Sequence, residues 1–209
     1  MKKVLWILVF MFGFVVKVNA TPIIWTENGH YYDYVPFSTA ALTWHASRNA
    51  ATNTKHLGNR GYLATITSAE ENAFLFTQFR INADDQFAWI GGYEPNDNNV
   101  WKWADGPEAG VQFSQKDIPT APFNYANWGG IEPNDHKQEE DYAMYNIGNE
   151  FAGIQPGEWG DASPETSNLD PVVGYLVEYD QPQSTVPEPA TLLLFSTGIA
   201  GFYVRRQRS

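Results

Sequence analysis

The chain has 209 residues, 24 of them acidic and 13 basic, for a formal net charge of −11. Six of the basic residues (Lys2, Lys3, Lys17, Arg205, Arg206 and Arg208) lie in its two ends. The middle is therefore more acidic still, which disfavours nucleic acid and anionic lipid as partners and favours cations. The absence of cysteine excludes disulfides, thiolate metal sites and cysteine nucleophiles, while 8 tryptophans supply apolar mass for a core.

Residues 1–20 open on Lys2-Lys3, run apolar over 4–16 and close on Val18-Asn19-Ala20. A basic head, an apolar middle and a small-residue exit predict a secretory signal peptide cut after Ala20. The alternative, a permanent N-terminal anchor, suits the short apolar run less well. Residues 21–181 are then the size of one domain. Alternating aromatic and polar residues over 30–35 predict a first strand. An alanine-rich run from Ser38 or Thr39, with Leu42, Ala46 and Ala50 at helical spacing, predicts a helix to about residue 54. A short apolar strand follows over 61–67. Ser68-Ala69-Glu70-Glu71 has the form of a capping box, opening a helix with Leu75 and Phe79 on one face. Residues 87–92 read as a buried strand and 100–103 as its hairpin partner. From 105 to 140 there is little periodicity, but Phe113, Phe123, Tyr125 and Trp128 argue for an ordered loop, and loops of that length are usually functional or disordered. Strands resume over 142–147, near 158–160 and over 172–179. Two early helices, several short strands and one long aromatic loop predict an α+β fold.

At the far end, residues 182–189 form a linker containing Pro187-Glu188-Pro189, residues 190–204 are mostly apolar, and 205–209 are basic. As a helix the apolar segment rises only about 22 Å against a hydrocarbon core of ~30 Å, so it is expected to be a short transmembrane segment whose flanking arginines snorkel. The arginines place the 205–209 end in the cytoplasm and everything upstream outside. The order of triplet, apolar segment and basic end resembles the PEP-CTERM sorting signal of Gram-negative bacteria. That resemblance implies an exosortase-type sorting machinery as partner and display at the cell envelope.

The chemistry concentrates in Asn127-Trp128-Gly129-Gly130-Ile131-Glu132-Pro133-Asn134-Asp135-His136, then Glu139-Glu140-Asp141, then Trp159-Gly160-Asp161. Calcium takes six to eight hard oxygen ligands, mostly carboxylates and amide carbonyls. Glu132 and Asn134 offer one of each side by side if the backbone bends strongly, as a cis bond before Pro133 allows. Glu140 and Asp161 can close the ring from neighbouring loops. For the Glu-Pro-Asn triplet alone, a polar turn with solvated acids is the simpler reading. His30, His45, His56 and His136 show no zinc spacing, and no nucleophile elbow or phosphate-cradling loop appears. A pair of carboxylates could form a glycosidase dyad, but nothing in the sequence separates such a pair from metal ligands; an enzyme is not expected.

Context sharpens this. Trp44-x-Ala46, the run from Gly61 to Ser68, Trp89-Ile90-Gly91, Trp101-x-Trp103-x-Asp105-Gly106, Trp128, Glu132-Pro133-Asn134, Glu140-Asp141, Trp159-x-Asp161 and Gly174-Tyr175-x-Val177-Glu178-Tyr179 stand in the order seen in C-type lectin-like domains. The resemblance spans roughly residues 25–180. It implies a double-loop α+β fold with two helices, short antiparallel sheets and a long calcium-binding loop, where sugar hydroxyls complete the coordination of the ion. Glu132, Asn134, Glu140 and Asp161 match four of five places that hold the principal calcium. The first three are expected to touch sugar as well, and the Glu-Pro-Asn form is associated with mannose-like and glucose-like ligands. Gly160 stands where the family has asparagine, removing one oxygen from the metal and one amide from the sugar. Asp135 and Asp141, with Glu94 and Asn98, match an auxiliary calcium site; a solvated acidic loop is the alternative there. The expected function is a calcium-dependent module for carbohydrate or exopolysaccharide. The alternative is an adhesive or structural protein that grips another protein, with calcium only ordering the loops.

Overall fold

The computed structural model describes residues 21–38, 41–84, 86–164 and 172–182. The expected signal peptide, the transmembrane segment at 190–204 and the basic end lie outside the described residues. Among those described, no helix is long and apolar enough to cross a membrane.

After a short strand β1 (Ile23–Ile24) comes β2 (Tyr31–Pro36), in which Tyr32 faces the core. Helix α1 (Trp44–Thr52) starts later than the sequence predicts. Thr43 caps it, accepting from the amide of Ala46 at 3.0 Å. Ahead of it the Leu42 carbonyl is taken by the Trp89 indole at 3.0 Å, which holds the chain out of helical geometry there. Strands β3 (Lys55–His56) and β4 (Asn59–Leu63) form a small hairpin. The expected strand over 61–67 ends at Leu63, because beyond Ala64 the amides turn to side chains: Thr65 donates to Glu178 and Thr67 to Glu71.

Helix α2 (Ala69–Phe79) buries Glu71, Asn72 and Leu75. The capping box forms by half. Ser68 Oγ accepts from the Glu71 amide at 3.1 Å, but the Glu71 carboxylate reaches past Ser68 to the amide and hydroxyl of Thr67. Strand β5 (Phe87–Tyr93) is buried almost throughout and is followed by β6 (Val100–Trp103). The stretch 105–140, expected to lack regular elements, contains β7 (Gln112–Gln115), β8 (Ile118–Pro119) and a 3-10 turn (His136–Gln138). Then come β9 (Tyr142–Asn146), β10 (Trp159–Ala162) and β11 (Val172–Tyr179).

Strand β11 lies in the middle of the sheet, antiparallel to β2 and β4 and parallel to β5. The sheet is thus mixed rather than wholly antiparallel, and the fold is α+β. Strand β5 passes the pairing on to β6 and to β9, and β9 pairs with β10. Under the loops sits an aromatic cluster. Trp103 stacks on Phe113 at 4.1 Å, and Trp159 meets Trp128 edge-on at 5.8 Å. Burying rings of this size contributes several kcal/mol, of order 25 cal/mol per Å² of apolar surface. It also fixes β10, so that Asp161, two residues past the core Trp159, has a rigid base.

The junction of β2, α2 and β11 is polar inside. Tyr32 donates to Glu71 Oε1 at 2.5 Å, Thr65 donates through amide and hydroxyl to Glu178 Oε2, and His30 Nδ1 lies 2.6 Å from Glu178 Oε1. Glu108 accepts from the Thr65 hydroxyl at 3.1 Å. Burial, with Glu178 alongside, pushes the Glu71 carboxyl up to about 7. The hydrogen bond to Glu178 raises His30 above its ordinary value.

Candidate metal and ligand site

The segment leading to Glu132 runs beside β10. Trp128 bridges Trp159, the Gly129 amide donates to the Trp159 carbonyl at 2.9 Å, and the Glu132 amide donates to the Gly129 carbonyl at 2.9 Å. The Glu132–Pro133 bond is cis. Past it, Asp161 accepts from the Asn134 amide at 3.0 Å through Oδ1 and from the Asp135 amide at 2.8 Å through Oδ2. The Asn134 side-chain nitrogen donates to Glu132 Oε2 at 2.7 Å. Glu140 Oε2 accepts from the His136 amide at 3.0 Å. One loop therefore folds over the end of β10 and brings Glu132, Asn134, Glu140 and Asp161 together.

Burial, then the adjacent Asp161 carboxylate, pushes the Glu132 carboxyl up to about 8; Glu140 adds to the rise and the Asn134 hydrogen bond opposes it. The ion pairs found among the described residues, His30–Glu178 and Arg48–Asp105, leave Glu132 and Asp161 without a cationic side chain.

A second acidic group adjoins the first. Glu94 is buried, and its amide donates to the Asp141 carbonyl at 2.8 Å. Its Oε1 accepts from the Asn99 amide. Asp141 is raised by burial and by Asp135, Asp97 and Asp161, and Asp135 by burial and by Asp97 and Asp161. Asn98 spends its Oδ1 on the Val100 amide at 3.1 Å. Its main-chain amide lies against the Glu94 carboxylate, and Asp97 also stands among these acids. The signal for it was the repeat of Glu94-Pro95-Asn96-Asp97 in Glu132-Pro133-Asn134-Asp135, and both aspartates adopt left-handed backbone, φ +49° each.

Among the described residues no group of three or more His, Asp or Glu side chains is gathered closely enough to hold a metal ion as it stands. The acids spend their oxygens on loop amides. The donor set nevertheless fits a hard divalent cation, being carboxylate and amide oxygen throughout, with mutual repulsion that such a charge would relieve. Gly160 is enclosed. A Cβ placed there would lie 2.8 Å from Ile154 Cδ1, 3.0 Å from Met144 Cε and 3.7 Å from Glu132 Cγ. The fifth place is thus filled by hydrocarbon as well as lacking an oxygen.

Residues 41–169 match the family model of the lectin C-type domain, and residues 185–208 match the PEP-CTERM protein-sorting motif. Halomucin of Haloquadratum walsbyi is 40% identical over 73% of this chain, and C-type lectin domain family 4 member M of Gorilla gorilla gorilla 29% identical over 49%. The chain spans 1% of the length of the first and 23% of the second. Among solved structures, the C-type lectin CEL-I of Cucumaria echinata superposes with a TM-score of 0.53 at 23% identity, covering 78% of this chain and 99% of that one.

Proposed function

This chain belongs to the C-type lectin domain family, and we propose that its domain is a calcium-dependent carbohydrate-binding module displayed at the bacterial cell envelope. As a family member it is a binding protein rather than an enzyme. The observation that carries the calcium reading is the convergence of two carboxyl groups, half-buried Glu132 and buried Asp161, without a cationic side chain between them. Glu132, Asn134, Glu140 and Asp161 would hold the ion, with Asp135, Asp141 and Glu94 disposed for an auxiliary one. Bound calcium supplies positive charge and open coordination positions for vicinal hydroxyls. The chain's contribution is to orient Glu132, Asn134 and Glu140 toward both ion and sugar. Mannose-like or glucose-like units of an exopolysaccharide are the proposed ligand class. The sorting motif supports export and handling by an exosortase-type machinery, and membrane tethering through 190–204 remains part of the proposal.

Binding of the mature chain to a glycan array, with and without chelator, tests this reading. Binding that chelation leaves unchanged removes the calcium mechanism. The hydrocarbon around Gly160 favours a second reading, in which calcium only orders the loops and the scaffold grips a protein. Calcium-induced stabilisation without binding to any glycan would support that one.

A further inference from the structure

We infer that Ile154 is the residue that positions Glu132, by seating its two branches over two glycines on either side of the site. The inference deepens the calcium reading above and rests on it only for the affinity measurement.

Residues 151–154 form a tight hairpin, with Phe151 and Ile154 exchanging main-chain hydrogen bonds of 3.1 and 2.8 Å across left-handed Ala152 and Gly153. The hairpin is anchored from below, where Asn146 Nδ2 donates to the Ile154 carbonyl at 2.9 Å. Ile154 is 2% exposed. A Cβ on Gly129 would lie 2.9 Å from Ile154 Cγ2, and one on Gly160 would lie 2.8 Å from Ile154 Cδ1. One side chain therefore packs against both glycines, sharing the space over Gly129 with Glu158, whose Oε2 would lie 2.5 Å from that Cβ, and the space over Gly160 with Met144. Gly129 begins the turn that ends at Glu132, and Gly160 immediately precedes Asp161. The spacing between the two carboxylates is consequently set through hydrocarbon at Ile154. An asparagine side chain at Gly160 would have to displace Cδ1 from a closely packed site, where overpacking is destabilising.

The test is a double-mutant cycle on the full chain with Gly160→Asn and Ile154→Val, the latter removing Cδ1 while leaving Cγ2 over Gly129. Denaturant unfolding in chelator is measured first. Gly160→Asn alone should be destabilising, and Ile154→Val should recover at least half of the loss, because the two changes share one volume. Calorimetric calcium titration follows. Ile154→Ala, which removes the Ile154 packing from both glycines, should weaken affinity about fivefold or more, whereas Ile154→Val should change it less than twofold. The Gly160→Asn/Ile154→Val pair should bind about tenfold tighter than Ile154→Val alone, as one added charge-assisted contact allows. Additive effects in chelator, or a Gly160→Asn protein as stable as the parent, overturn the inference. If none of the proteins takes up calcium, the calcium reading fails, while the chelator cycle still decides whether Ile154 occupies the space over Gly160. Should Ile154→Ala not fold, the valine cycle carries the decision.

Discussion

The Trp159 indole donates to Asn72 Oδ1 at 2.9 Å, and Asn72 Nδ2 donates to the Gly157 carbonyl at 2.8 Å, so the strand carrying Asp161 hangs from helix α2 by one buried amide. Replacing Asn72 by leucine keeps the volume and orphans the Trp159 indole, while the Gly157 carbonyl keeps a donor in Asn127 Nδ2 at 2.8 Å. An unsatisfied buried group costs about 1–3 kcal/mol, so Asn72→Leu should lose ~1–3 kcal/mol in urea unfolding. A loss under half a kcal/mol would mean that α2 and β10 are held together by packing alone.

Repulsion between Glu132 and Asp161 gives opposite signs with and without the ion. Above pH 8, where the Glu132 carboxyl is ionised, Glu132→Gln retains an acceptor for Asn134 and removes one charge. The calcium-free protein should melt at the same temperature or higher than the parent. The calcium-induced rise in melting temperature, expected as for any ligand that binds the folded state alone, should vanish. Magnesium, which demands tighter octahedral geometry, should produce little rise even in the parent. Equal rises in parent and variant would remove Glu132 from the cation site.

Stability in chelator should depend on pH through the junction of β2, α2 and β11. The Glu71 carboxyl stands raised to about 7 from an ordinary 4.5, so the folded chain holds its proton more tightly than the unfolded chain does. Its contribution is present at low pH and is lost as pH rises between those values. His30, raised by Glu178, acts in the same direction, since its contribution is full below the unfolded value of 6.5 and is lost above the folded one. Tyr32, Thr65, Glu108 and Glu178 face these two groups, and none supplies a compensating fixed cation. Melting temperature should therefore fall from pH 5.5 to pH 8, with a shallower fall in Glu71→Gln. A rise over that range would contradict the assignment.

Arg48 grips Asp105 with two hydrogen bonds, 2.6 Å from Nε and 2.8 Å from Nη2, while its guanidinium lies 5.6 Å from the Trp44 ring centre. The pair ties α1 to the turn after β6 but is partly open to solvent. Arg48→Met should cost about 1 kcal/mol, less in 1 M salt, where screening shortens the reach of the charges. A cost that salt leaves unaltered would assign the effect to stacking on Trp44 rather than to charge.

Much of the fold follows from patterns only a few residues wide. Ser68 caps α2, and the alternation of Trp101 and Trp103 buries both rings. Strands β7 and β8 were not legible, since they are four and two residues long and separated by a turn with Lys116 at φ +51°. The start of α1 was displaced because Ser38 and Thr39 have cap chemistry, whereas the actual cap is selected by a tertiary contact of Leu42 with Trp89. In the candidate site the residue types were readable but not their company. The bond from the Asn134 amide to Asp161 joins positions 27 apart. Asp97 was visible as part of a repeated tetrad, but its place beside Asp135 and Asp141 depends on the fold. The missing donor at Gly160 could be read from one letter, whereas the hydrocarbon standing in its place depends on a hairpin that only the folded chain assembles.

The central position of β11 bears on the order of assembly. Its partners β2, β4 and β5 are all made earlier in the chain, and among the described strands none pairs β2 with β4 or β5 until residues 172–179 arrive. A polypeptide emerging from a translocation channel amino end first would stay unclosed until nearly the whole domain had passed. The last strand would then act as a latch, thrown just before the sorting motif comes into view.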